Sequence, residues 1–125
     1  MIEANELRKG NLVFGVSNRI EVVIAINENS ITAKSEFLED SFTSDCKYFS
    51  GIPITQDILF KTVSDMADKK ESVYKNYQFG YSRKQKEHNF WLIYHDNKIS
   101  KNISYVHELQ NLIYGFTGTE LTINL

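Results

Sequence analysis

The chain groups its apolar residues in two ways, by twos and by threes and fours, and the pattern separates strands from helices. Between residues 12 and 34 three short runs rich in β-branched residues, Leu12 to Phe14, Glu21 to Ile26 and Ser30 to Ala33, are divided by Gly15-Val16-Ser17-Asn18 and Asn27-Glu28-Asn29. Runs of this kind joined by turn formers predict hairpin-linked strands, and so an antiparallel meander. Gly10-Asn11 supplies a turn that reaches positive φ cheaply, which lays Leu7 and Arg8 across one end of the meander. From Glu36 to Asp45 acidic residues interleave with Phe37, Leu38 and Phe42, a pattern that suits a loop or short edge element with anchoring aromatics.

Tyr48 to Ile54 reads as an extended segment, a strand ending near Ile54, with the only proline, Pro53, where a missing N–H is tolerated. Thr55 then stands as N-cap to a helix over 56–65, with Asp57 near its positive end and Leu59 and Val63 four apart. Residues 65–76 are polar and poorly periodic, a surface connection or the frayed end of that helix, where one of two subregions of about 1–65 and 77–125 hands over to the next. Tyr77, Phe79 and Tyr81 alternate with polar residues or glycine, and Phe90 to Tyr94 is a continuous apolar run. With Arg83 to Glu87 as the turn these predict a second hairpin, followed after Asp96-Asn97 by an extended piece over Ile99 to Ile103. Ser104 is placed to cap a helix whose apolar stripe is Tyr105, Leu109, Leu112 and Phe116, flanked by Val106 and Ile113. Gly118 stops it, and Leu121, Ile123 and Leu125 alternate as a final strand. The expectation is one compact α+β domain over 1–125. It has an N-terminal meander similar to the opening of an SH3-like or Tudor-like barrel, one short helix, a second hairpin, and a C-terminal helix packed on the sheet with a final strand.

Composition narrows the class. At 125 residues with 42% hydrophobic content the chain can build a core, so intrinsic disorder is not expected. A lone cysteine, Cys46, makes no intramolecular disulfide and suits a reducing compartment. The acidic start, Met1-Ile2-Glu3-Ala4-Asn5-Glu6, lacks the basic and apolar stretches of an export signal, and no apolar run approaches the roughly 20 residues of a membrane span. A soluble cytoplasmic protein without membrane contact is expected. The net charge of −2 hides a gradient: residues 1–60 hold five basic against nine acidic residues, residues 61–125 nine against seven, so the chain is mildly dipolar.

The residue types of most chemistries are missing at the required spacings. Cys46, His88, His95 and His107 show no C-x-x-C, H-x3-H or H-E-x-x-H pattern, which argues against a metal site. Cys46 sits among acidic residues that oppose thiolate formation, and the six glycines form neither a G-x-G-x-x-G nor a Walker loop. A non-enzymatic protein without cofactor is the expectation. His107, Asn111 and Tyr114 on the last helix, with Gln110 adjacent, read as a face that is solvated or hydrogen-bonded to a neighbouring loop, or as a group converging on a ligand or acidic partner. Residues 69–101 are richer, with eight basic residues against three acidic ones and seven aromatics among them, Tyr74, Tyr77, Phe79, Tyr81, Phe90, Trp91 and Tyr94. Cations neutralise phosphates and flat rings stack on bases, so a basic hairpin with exposed rings is a workable RNA- or DNA-binding surface. Alternation along strands can equally bury half of those rings. Arg83, Lys84, Lys86 and Trp91 form the expected contact group, with Lys98 and Lys101 at its margin. The acidic stretch Glu36 to Asp45 reads either as a solvated loop or as a docking surface for a basic cleft, with Phe37 and Phe42 as anchors.

Three blocks carry a resemblance: Ala4-Asn5-Glu6-Leu7-Arg8-Lys9-Gly10-Asn11, Gly51-Ile52-Pro53-Ile54-Thr55 leading into a helix with Leu59, and Tyr105-Val106-His107-Glu108-Leu109-Gln110-Asn111-Leu112 with Thr117-Gly118-Thr119-Glu120-Leu121. Covering about a third of the chain, they resemble a family of small phage and prophage proteins of the Bacteroidota. The resemblance implies a mobile-element gene and no catalytic residues. It also implies action by binding host factors, including a defence nuclease or its RNA complex, as anti-CRISPR proteins do. The acidic stretch and the basic hairpin lie outside these blocks.

Overall fold

The computed structural model describes residues 2–15, 18–35, 41–68, 74, 76–84, 87–121, 123 and 125. The chain is α+β, with four strands in one antiparallel sheet, three in another, and two helices. It divides into two compact units, 1–53 with 105–111, and 54–104 with 112–125.

In the first unit the meander is present as expected. Strands β1 (Leu12–Phe14), β2 (Ile20–Ile26), β3 (Ser30–Ser35) and β4 (Ser41–Asp45) pair in sequential order. No pairing of β4 back onto β1 is present among the described residues. Val13, Val23, Ile31 and Ala33 meet Ile2, Leu7, Cys46 and Phe49 in its core. Gly10 has φ of 98°, the left-handed turn that a side chain would oppose, and its N–H donates to Val23 O at 2.8 Å. Of the acidic stretch, 36–40 lies outside the described residues, and β4 is the exposed edge strand that carries Phe42.

Two elements differ from expectation in this unit. Tyr48 to Ile54 is not a strand: Asp45 accepts the N–H of Lys47 at 2.9 Å and turns the chain into a 3-10 helix, Cys46–Tyr48. Only isolated bridges follow, Phe14 to Ser50 and Pro53 to Tyr105. Gly51 explains the close approach, since a Cβ there would lie 2.6 Å from Tyr105 Cδ1 and 3.1 Å from His107 Cε1. The second difference is the face of the last helix, α2 (Val106–Thr117). Its buried positions are Val106, His107, Leu109, Gln110 and Ile113, whereas Tyr105 and Phe116 are each 42% exposed. The stripe is turned because Gln110 goes inward: its Oε1 accepts the N–H of Leu12 at 2.8 Å and its Nε2 donates to Gly10 O at 3.3 Å. Asn111 bonds Asn11 and the Glu6 carbonyl, and His107 Nε2 lies 3.5 Å from the Glu6 carboxylate. At the helix start the N–H of Tyr105 donates to Glu108 Oε1 at 3.0 Å, one half of a capping box, one residue beyond the expected Ser104.

The second unit opens with α1 (Gln56–Asp68), capped by Thr55 Oγ1 accepting the N–H of Ile58 at 3.1 Å. It runs three residues past the expected end and buries Leu59, Thr62 and Met66. Strands β5 (Tyr77–Lys84), β6 (Glu87–Tyr94) and β7 (Asn97–Ile103) form an antiparallel sheet with β6 in the centre. Phe90, Leu92, Ile103 and Tyr74 are buried here. The β6–β7 turn is His95-Asp96, both at positive φ (47° and 67°), the two-residue turn whose twist matches the strands. Gly118, at φ of 68°, ends α2. Leu121 and Ile123 are buried; of the final strand expected over 121–125, Thr122 and Asn124 lie outside the described residues, and no strand pairing is present at Leu121, Ile123 or Leu125. No described helix is long and apolar enough to cross a membrane.

Glu21, on β2, is 2% exposed, and its Oε2 has no hydrogen-bond partner among the described residues. A Cβ at Gly15 would overlap its carboxylate. Burial pushes its pKa up, and Arg19 opposes this only in part. A raised folded-state pKa means that the stabilising contribution is complete at acid pH and is lost as pH rises through the folded value. Glu21→Gln is therefore expected to raise the unfolding temperature at pH 8 and to bring no gain near pH 4, a comparison made by thermal unfolding at both. Gln110→Leu should cost about 2 kcal/mol in denaturant unfolding, because it strands the Leu12 N–H in the core.

Candidate functional site

Pairing register decides which expected contact residues meet. Across β5–β6–β7, Tyr81 pairs with Phe90 and Phe90 with Lys101, while Gly80 pairs with Trp91 and Trp91 with Ser100. Directly paired residues share a face and successive residues alternate. One face therefore holds Tyr77, Phe79, Tyr81, Arg83, His88, Phe90, Leu92, Lys101 and Ile103. This is the inner face, since Phe90, Leu92 and Ile103 are buried. The other face holds Gln78, Gly80, Ser82, Asn89, Trp91, Ile93, Lys98, Ser100 and Asn102, none of them buried.

Trp91 lies over Gly80. A Cβ on Gly80 would overlap the six-membered ring of the indole, so the missing side chain is what lets the ring lie flat on the neighbouring strand. Lys98 Nζ stands 5.9 Å from the Trp91 ring, within cation–π range. Beside it Asn89 Nδ2 donates to Asn102 Oδ1 at 3.1 Å, and Asn102 Nδ2 donates to Glu87 Oε2 at 3.0 Å. The outer face is thus one aromatic plate with a cation, rimmed by amides and hydroxyls.

Among the described residues, the basic contact group expected from the sequence is divided between the two faces. Trp91 and Lys98 come together on the outer face, whereas Arg83 and Lys101 are exposed at positions of inner-face parity. Lys84 is described through its main chain alone, paired with Glu87, and Lys86 lies outside the described residues. Most of the other rings serve packing. Tyr77 stacks on Tyr94 at 4.7 Å and donates to Phe116 O at 3.1 Å, and Phe79 meets Tyr74 edge-on at 6.0 Å. Sequence reasoning missed Gly80, Gln78, Asn89, Ser100 and Asn102. The signal for them was Gly80, a glycine inside a strand pattern one hairpin away from the only tryptophan.

The thiol and imidazole groups are dispersed. Cys46 is buried at the edge of a cavity of about 560 Å³ in the first unit, lined also by Glu3, Glu28, Asp45 and Lys47. Burial first, and then the Asp45 charge, push its thiol pKa up, the reverse of activation. His88 borders a cavity of about 250 Å³ in the second unit, with Glu87, Asn102 and Ser104, and its Nδ1 is buried without a hydrogen-bond partner among the described residues. His95 occupies the β6–β7 turn, and His107 is buried against Glu6. Among the described residues no group of three or more His, Cys, Asp or Glu side chains is arranged to hold a metal. No family model, curated protein or solved structure matches this chain.

Trp91 is the sole tryptophan, so its emission reports on this face alone. Gly80→Val should push the indole off β5 and shift its emission to the red, at a cost of about 1 kcal/mol. Unchanged emission in a folded variant would contradict the packing described.

Proposed function

We propose that this is a non-enzymatic phage or prophage accessory protein that works in the host cytoplasm by binding a host protein, and that the outer face around Trp91 is its contact surface. The target class is a host defence system such as an RNA-guided CRISPR nuclease. The observation that carries the binding reading is the indole held flat over Gly80 beside Lys98, inside a polar rim. Interfaces concentrate their energy in a few central residues, tryptophan foremost, surrounded by polar groups that exclude water. The mobile-element origin rests on the N-terminal, Gly51 to Thr55 and α2 residue blocks, and it supplies the defence context.

The second reading, a stand-alone RNA- or DNA-binding module, is favoured by the excess of basic residues over 69–101. It is weakened by their distribution. A phosphate track needs several cations along one groove. Arg83 and Lys101 stand opposite in parity to Trp91 and Lys98, and Glu87 shares the outer face.

Affinity capture from a Bacteroidota lysate, followed by mass spectrometry, tests the first reading. A defence or nucleic-acid-processing protein should be recovered by the wild type, lost with Trp91→Ala and retained with Arg83→Glu. Repeated capture with no such protein sinks it. Nucleic-acid binding that falls steeply with salt, and with Arg83→Glu plus Lys84→Glu, would instead establish the second.

A further inference from the structure

We propose that the outer edge of β7 accepts an extended, acidic segment of the partner as an added strand; this rests on the binding role proposed above and specifies how the partner is held. The hairpin geometry identifies the main-chain groups available. The turn His95-Asp96 leaves Tyr94 and Asn97 as the closing pair, and in a two-residue hairpin that pair exchanges both hydrogen bonds. Alternation then directs the N–H and C=O of Asn97, Ile99, Lys101 and Ile103 toward β6. Those of Lys98, Ser100 and Asn102 point away from it, at the sheet edge.

Three features qualify this edge. The strand paired with β7 is β6, so the outward groups form a row without a strand partner among the described residues. Beyond Ile103 the row closes, because Ser104 O already accepts the N–H of Ile54 at 2.9 Å. The residues whose main chain faces outward, Lys98, Ser100 and Asn102, are also those whose side chains share the face of Trp91. An added strand would thus lie beside the indole face and continue the same surface.

Charge selects the occupant. β7 carries Lys98 and Lys101 and no acidic residue, one lysine on each face of the sheet. A strand laid along it meets a cation above and a cation below, which favours glutamate or aspartate on it. A second copy of β7 would bring the same two lysines and is disfavoured. Strand addition gives affinity through main-chain bonds and selectivity through the flanking side chains.

The test uses a labelled short peptide of alternating glutamate and valine, with a lysine and valine counterpart as control. The acidic peptide is expected to bind the full chain and to slow amide exchange at Lys98, Ser100 and Asn102, leaving Ile99 and Lys101 unchanged. Ser100→Pro removes an outward N–H without touching the β6–β7 ladder, so it should keep native Trp91 emission and weaken peptide binding about tenfold. Should that variant misfold, Lys98→Glu with Lys101→Glu decides the matter, because it should exchange preference to the lysine peptide. No binding of the acidic peptide, binding indifferent to both variants, or dimerisation through β7 in sedimentation overturns the proposal. If Trp91→Ala abolishes host capture while Ser100→Pro retains it, the contact face stands and strand addition falls. If neither affects capture, both fall.

Discussion

The second unit depends on the register of its central strand. β6 is paired on both sides, and its residues alternate between Phe90 and Leu92, which are buried, and Trp91 and Ile93, which are not. A slip of one residue against either neighbour would exchange those sets. Two features prevent it. The turn His95-Asp96 holds two non-glycine residues at positive φ, a cost of roughly 1 kcal/mol each that is sustained because the turn twist matches the strands. Gly80 accepts the Trp91 ring only when it stands directly opposite, since any side chain there would overlap the indole. The same register sets which main-chain groups β7 offers at its edge. Core, outer face and edge are consequences of one pairing.

The first unit is held by a different device. Gln110, His107 and Asn11 are all but inaccessible to water; both polar atoms of the Gln110 amide and the Asn11 Nδ2 bond chain segments far away in sequence, while Asn11 Oδ1 accepts the N–H of Arg8. A buried amide that bonds the first N–H of β1 adds little net energy compared with an apolar contact, but leaving that N–H unpaired is expensive. Such groups select one placement of α2 on the sheet against rotated alternatives of similar apolar burial. They explain why the helix turns Tyr105 and Phe116 outward although its sequence offers both as core.

What could be read from the sequence follows from how local each cause is. The meander, the Thr55 cap, the Gly10 and Gly118 turns and the second hairpin depend on residues within a few positions of one another, and all were legible. The irregular path of Ser50 to Ile54, where a strand was expected, depends on distant partners. The Gly51 contact with Tyr105 illustrates this, whereas the Asp45 bond to Lys47 that starts the 3-10 helix is local and was missed. The candidate site fell between the two. Trp91 and Lys98 were identified, but counting cations along the chain grouped Arg83 and Lys101 with them. Strand parity separates these pairs, and it was available in the sequence only once the hairpin register was fixed.

The charge on the second sheet is better understood by face than by total. Eight basic residues over 69–101 suggest a polyanion surface, yet the described outer face holds Lys98 together with the acidic Glu87, and its other polar groups are amides and hydroxyls. On β7 the two lysines do more than supply charge. An open strand edge is a template for any extended chain, and natural sheets guard such edges with lysine. Placed on opposite faces, Lys98 and Lys101 repel basic strands and a second copy of β7 from both sides. The same arrangement leaves acidic strands unopposed, so a protective feature of the edge also becomes a filter for what the edge can admit.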